Sequence, residues 1–239
     1  MGHNLVRLIV CCIALSLAVA ASGQTVTGIS VPGTGSIFLA GQPSGTTLGS
    51  DSVPAESPVQ VSLTLTPGQV LTFSLSGATG GAGCSSTGPD GCGGFTSSSA
   101  LGISPYSGPA QALVGVFLDA STPSGTAPAQ LADFNANQAF TTLSPGLRQV
   151  FFIGDGLTGQ GTGATQTFVV PAGATRLFLG SSDNPGVSFN NSGAFTASVT
   201  QGPGNSVSVA PAPASLLLAF VGLSFLALYL LRGMPVRTH

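Results

Sequence analysis

From Pro58 the chain alternates: Val59, Val61, Leu63 and Leu65 stand on one face, and Gln60, Ser62, Thr64 and Thr66 on the other. Apolar side chains at every second position mark a half-buried strand. Pro67-Gly68 follows, and Leu71, Phe73 and Leu75 resume the apolar face. The pattern predicts a hairpin of two half-buried strands turning at Pro67-Gly68. Residues 112–119 and 149–153 are apolar on both faces, as strands inside a covered sheet are. Residues 167–170, 175–179 and 194–199 complete the series, with Gly and Pro turns between them. No stretch of the exported region shows a 3.6-residue period, so the expected class is all-β, an antiparallel β-sandwich. Residues 77–109 and 121–145 are long for simple loops and read as surface insertions, the second with a short helix near 129–134.

The two ends break the alternation. Arg7 precedes an apolar run from Leu8 to Ala21, and small residues follow, which is the pattern of a secretory signal peptide over residues 1–23. Cleavage after Ala20 or after Gly23 fits equally. A second uncharged run, residues 214–231, would rise about 27 Å as a helix, close to the ~30 Å hydrocarbon core. Arg232 and Arg237 follow it, so the positive-inside rule leaves the tail cytoplasmic and everything before Ala214 outside. Between the ends lie residues 24–57, an N-terminal extension or edge strands, the sandwich at 58–201, and a linker at 202–213.

Ahead of the second run stands Ala210-Pro211-Ala212-Pro213-Ala214-Ser215. This element, the spanning segment and the short basic tail together resemble the PEP-CTERM sorting signal, here over residues 211–239. Ala212 takes the place of the usual glutamate, and the arginine cluster is thinned to Arg232 and Arg237. The resemblance implies an exosortase-type sorting enzyme as partner, and a destination in the cell envelope or the extracellular matrix. A simple single-pass anchor gives the same topology.

Composition narrows the chemistry. The chain has no lysine, and its exported part sets Asp51, Glu56, Asp90, Asp119, Asp133, Asp155 and Asp183 against Arg148 and Arg176. Two arginines cannot build a basic surface, which excludes a nucleic-acid partner. Cys11 and Cys12 leave with the signal, so the mature chain keeps Cys84 and Cys92 in a Gly/Ser-rich loop. In an exported protein this pair reads as a disulfide. A zinc tetrad lacks nearby histidines, and a redox dithiol lacks the Cys-x-x-Cys spacing.

Residues 179–193, LGSSDNPGVSFNNSG, gather an aspartate, three asparagines and glycines in a charge-poor chain. Turns select these residues, and so does calcium, which takes six to eight oxygens from carboxylates, amides and carbonyls. Over residues 166–199 the order is strand, Pro-x-Gly turn, strand ending in aspartate, Asp-x-Pro-Gly loop, Asn-Asn-Ser-Gly turn, strand. That order resembles the calcium-dependent galactophilic lectins of bacteria. The resemblance implies a jelly-roll or galactose-binding-like sandwich holding one calcium ion that itself coordinates a galactoside. By position it places the metal ligands on Asp183, the carbonyl of Val187, Asn190, Asn191 and a carbonyl near Gly81, and puts Asp183, Asn184 and Asn190 at the carbohydrate.

The family's histidine has no counterpart in the exported region, and glycine stands at the position of the family tyrosine. Tyr106 has no matching position. The stretch from Gly154 to Gly159 satisfies G-x-G-x-x-G, but Gly161 and Gly163 follow where a helix is needed, so it reads as a glycine-rich hairpin loop with Asp155 in the turn. His3 and His239 lie beyond the mature domain, so no histidine-dependent triad is available. The chain is therefore read as non-enzymatic: a calcium-binding surface or matrix protein taking a galactose-like or matrix glycan. A structural protein whose asparagines only make turns is the alternative, and a glycoside hydrolase using Asp119 with Asp155 a more remote one.

Overall fold

The computed structural model describes residues 23–202. The segments expected to be a signal, a spanning run and a sorting element, with Pro211, Ala212, Pro213, Arg232 and Arg237, lie outside the described residues. Along the chain come β1 (Gln24–Pro32), β2 (Thr47–Leu48), β3 (Asp51–Ser52), β4 (Val59–Gln60) and the long β5 (Val70–Gly81). β6 (Cys84–Thr87), β7 (Cys92–Thr96), β8 (Ser107–Ala110) and β9 (Leu113–Leu118) follow. β10 (Thr142–Leu143), β11 (Val150–Phe152), β12 (Leu157–Gly159), β13 (Thr162–Thr165), β14 (Thr167–Val169), β15 (Arg176–Ser181) and β16 (Ser192–Gly202) complete the order. Helix among the described residues is limited to 3-10 turns at Ile37–Leu39 and Ser188–Asn190. The class is all-β.

A six-stranded sheet runs β1-β16-β5-β14-β10 with β6 beside β5, and a four-stranded sheet runs β11-β9-β15-β4. The β5–β16 ladder extends from Gly80 opposite Ser192 to Val70 opposite Gly202. Along it Leu71, Phe73, Phe195, Ala197 and Val199 are buried while Ser74 and Thr196 are exposed, so period-two alternation sets which face turns inward. Gly77 lies opposite Phe195 with φ +94°, and a Cβ there would run into the Ala194 carbonyl. Aromatic rings join the two sheets: Phe151 of β11 lies 5.6 Å from Phe168 of β14, which meets Phe73 of β5 edge-on at 5.1 Å. All six residues of β9 are buried, so both of its faces are covered, as its unbroken apolar run predicts.

The predicted hairpin at Pro67-Gly68 does not form. β4 pairs with β15 in one sheet and β5 with β14 and β16 in the other. The chain between them crosses from sheet to sheet with Val61, Leu63 and Leu65 still buried. Alternation reports that one face is buried, not which strand completes the ladder. In place of a partner strand, the Gln201 side chain donates to the Thr64 carbonyl at 3.0 Å and accepts from the Thr66 N–H at 3.2 Å.

The long segments also differ from expectation. Residues 77–109 are not a surface insertion: β5 continues to Gly81, β7 pairs with β8, and Ile103, Tyr106 and all of β8 are buried. Small side chains concealed strands there, because glycine and serine carry little hydrophobic signal. Residues 129–134 form no helix. Phe134 is drawn into the core, and Asp133 accepts from Ser107 Oγ at 2.8 Å and from the Asn135 N–H at 3.1 Å. The G-x-G-x-x-G stretch enters the hairpin β12–β13, as its glycines predict. Both arginines fasten loops: Arg148 donates to the carbonyls of Gly102, Ser124 and Thr126, and Arg176 to those of Asp119 and Ser121.

Candidate functional site

β15 and β16 belong to different sheets, so residues 182–191 must carry the chain between them. The crossing is pinned at its start. Gln111 N–H donates to the Ser182 carbonyl at 2.8 Å, Ser182 N–H to the Ala112 carbonyl at 2.9 Å, and Ser182 Oγ to the Pro109 carbonyl at 2.7 Å. The next residue is Asp183, whose side chain is thereby held inside the loop with 5 % of its surface exposed.

Asp183 Oδ1 accepts from the Asn184 N–H at 2.7 Å, and Oδ2 accepts from Gln111 Nε2 at 3.3 Å. Burial pushes its carboxyl above the ordinary value; hydrogen bonds from Asn184 and Asn191 pull it back, and the charge of Asp51 adds to the rise. Asn191 is 7 % exposed and donates through Nδ2 to the Gly33 carbonyl at 3.1 Å. Its Oδ1 is buried with no hydrogen-bond partner. Gly81, at the end of β5 with φ +147°, abuts this oxygen so closely that a Cβ would collide with it. The same Cβ would lie 3.0 Å from Gln111 Nε2.

Asp183, Asn191 and Gly81 therefore converge, although Gly81 lies on β5, far from the loop in sequence. Asn184 and Val187 are exposed and, with Asp183, form one wall of a cleft of about 450 Å³. Ala82 and Gly83 and the stretch from Cys92 to Phe95 enclose the other sides, the latter held by the Cys84–Cys92 disulfide. Asn190 is exposed at the end of the second 3-10 turn. Val187 and Phe189 are large hydrophobics left exposed beside the loop, at 38 % and 46 %.

Two members of the cluster escaped sequence reasoning. Gln111 bridges Asp183 and Ser181, whose Oγ donates to Gln111 Oε1 at 3.2 Å. Asp51 accepts from the Phe189 N–H at 2.8 Å. Both are remote in the chain from the loop they touch, and neither lies in a motif. Tyr106, by contrast, is buried against Phe134 and Phe95, with its hydroxyl 3.5 Å from the Pro109 carbonyl.

Among the described residues no group of three or more His, Cys, Asp or Glu side chains gathers. The groups that meet are instead the Asp183 carboxylate and the Asn191 and Gln111 side-chain amides beside the Gly81 backbone, and carboxylate and amide oxygens are ligands of hard cations. No protein-family model matches this chain, and no curated protein matches it.

Proposed function

We propose that this chain is an exported surface or matrix protein whose β-sandwich, similar to that of the galactophilic lectins, holds calcium in the 183–191 loop and offers the adjoining cleft to a glycan. Asp183, Asn190 and Asn191 supply side-chain oxygens, and Gly81 and Val187 supply carbonyls. A PEP-CTERM-like tail delivers the domain through an exosortase-type partner and the membrane. The observation that carries the ion is the Asn191 Oδ1, buried without a donor beside Asp183 and Gly81. A buried acceptor left unpaired costs about 1–3 kcal/mol, and a cation removes that cost.

The test is calorimetric titration of calcium into the wild type and into an Asn190→Ala, Asn191→Ala double variant. Saturable binding that disappears in the variant is the expected result. A folded wild type that takes no calcium makes the loop a pair of turns and the protein a structural one. One observation favours that second reading for the sugar: the side chains lining the cleft are mostly Gly, Ala and other apolar groups, with Asp183 and Asn184 as its side-chain hydrogen-bonding groups. Sugar recognition ordinarily needs several convergent polar groups. A glycan array with and without calcium decides it, the expected outcome being signal only with calcium.

A further inference from the structure

Asp51 is a carboxylate with an unusual burial. It lies on β3, is 1 % exposed, and belongs to the segment that joins β1 to β4. One oxygen accepts from the Phe189 N–H at 2.8 Å; the other, Oδ2, is buried with no partner. Neither arginine of the domain serves it, since Arg148 and Arg176 are spent on loop carbonyls elsewhere. A buried carboxylate oxygen without donor or counter-charge is costly, and it persists in folded proteins when it is paired or coordinates a metal.

The contact that places Asp51 there is extensive. The turn between β2 and β3 packs backbone to backbone on the loop: Ser50 N–H donates to the Gly186 carbonyl at 2.9 Å, and a Cβ at Gly49 would lie 2.8 Å from Gly186 Cα. Only glycine at both positions permits that approach. Asp51 is thereby inserted beside the loop that carries Asp183 and Asn191, with one oxygen on the Phe189 N–H two residues before Asn191. Asp51 Oδ2 and Asn191 Oδ1 are thus both buried acceptors without a partner among the described residues, on elements that this contact locks together, and Asp183 is buried in the same loop.

We propose that Asp51 supplies a second carboxylate to the cation held by Asp183 and Asn191, and that the bound ion fastens the β2–β3 hairpin to the 183–191 loop. This rests on the calcium reading above and extends it to a residue outside the loop. Two carboxylates balance one divalent ion, so a hard divalent cation such as calcium is the ligand class the pair selects. Without the ion the two charges oppose each other, and the hairpin becomes the segment that opens first.

The test uses the full-length chain in detergent, wild type and Asp51→Asn, with calcium chloride as the probe in calorimetry and in thermal melts with and without the ion. Asparagine keeps an acceptor for the Phe189 N–H, removes the charge and puts an NH2 group in place of the second oxygen. Expected are a loss of calcium affinity of about tenfold or more, a smaller calcium-dependent rise in Tm, and an ion-free Tm no lower than that of the wild type. A variant that binds calcium as the wild type does overturns the role of Asp51 and leaves the loop site standing. A wild type that binds no calcium removes both. Weakened binding with a lowered ion-free Tm makes Asp51 a packing residue and also overturns the proposal. Should Asp51→Asn fail to fold, limited proteolysis of the wild type within residues 42–53 decides: protection on adding calcium supports the fastening, and unchanged cleavage overturns it.

Discussion

Asp90 and Asp155 meet where the β12–β13 hairpin leaves the core: the Asp155 N–H donates to Asp90 Oδ1 at 3.0 Å. Burial pushes the Asp90 carboxyl above its ordinary value; the Asp155 N–H pulls it back, and the Asp155 charge raises it again. With its folded-state pKa above 3.8, Asp90 holds more proton in the folded chain than in the unfolded one. Its contribution to stability therefore falls as pH rises through the window just above that value. In Asp90→Asn, which keeps the acceptor, this loss is absent. Denaturant titrations across the acid range are expected to show wild type losing stability relative to the variant as pH rises through that window. At Gly81 the constraint is steric. Gly81→Ala drives a methyl group into Asn191 Oδ1 from a backbone conformation that disfavours side chains. Calorimetry is expected to show calcium binding lost, with a Tm below the wild-type value.

At the scale of elements, the disulfide between Cys84 on β6 and Cys92 on β7 closes a short loop beside the cleft. Closing so small a loop stabilises by about 2.5 kcal/mol on the chain-entropy model. Cys84→Ser, Cys92→Ser is expected to lower unfolding free energy by roughly that amount, measured by chemical denaturation, and to loosen the wall formed by the stretch from Cys92 to Phe95. Pairing was less legible than strand position. β9, β11, β14, β15 and β16 fall within or overlap the apolar runs that predict them, whereas the Pro67-Gly68 turn joins two sheets instead of two neighbours. Hydrophobic alternation is a local signal, and ladder partners are chosen by chains far away. Glycine and serine at 107 and 108 conceal β8 for a related reason: a strand can be buried because its neighbours are large, with few apolar atoms of its own.

For the molecule as a whole, the rings of Phe73, Phe168, Phe151 and Phe117 run in contact from one sheet to the other. Phe168 lies at the centre of this series and also meets Phe140 at 5.8 Å. Phe168→Ala is expected to cost about 3–5 kcal/mol, seen as a lowered midpoint in a single cooperative urea transition, since both sheets lose the same contact. The polar surface is built from Ser, Thr, Asn and Gln, so added salt has few charges to screen.

The sequence by itself determined the all-β class, the positions of β4, β5, β9, β11, β14, β15 and β16, the inward face of the 58–75 alternation, the gathering of aspartate and asparagines at 179–193, and the cysteine pair. These follow from period-two patterning, turn residues and short spacings, which are properties of neighbours along the chain. Tertiary structure alone decided that β4 and β5 lie in different sheets and that Asp51 and Gln111 enter the loop. Phe189 and Asp51 stand 138 positions apart in the chain, and no local pattern encodes such a meeting. It arises because sheet packing brings the turn of one hairpin, stripped of side chains at Gly49, against the glycine of a crossing loop.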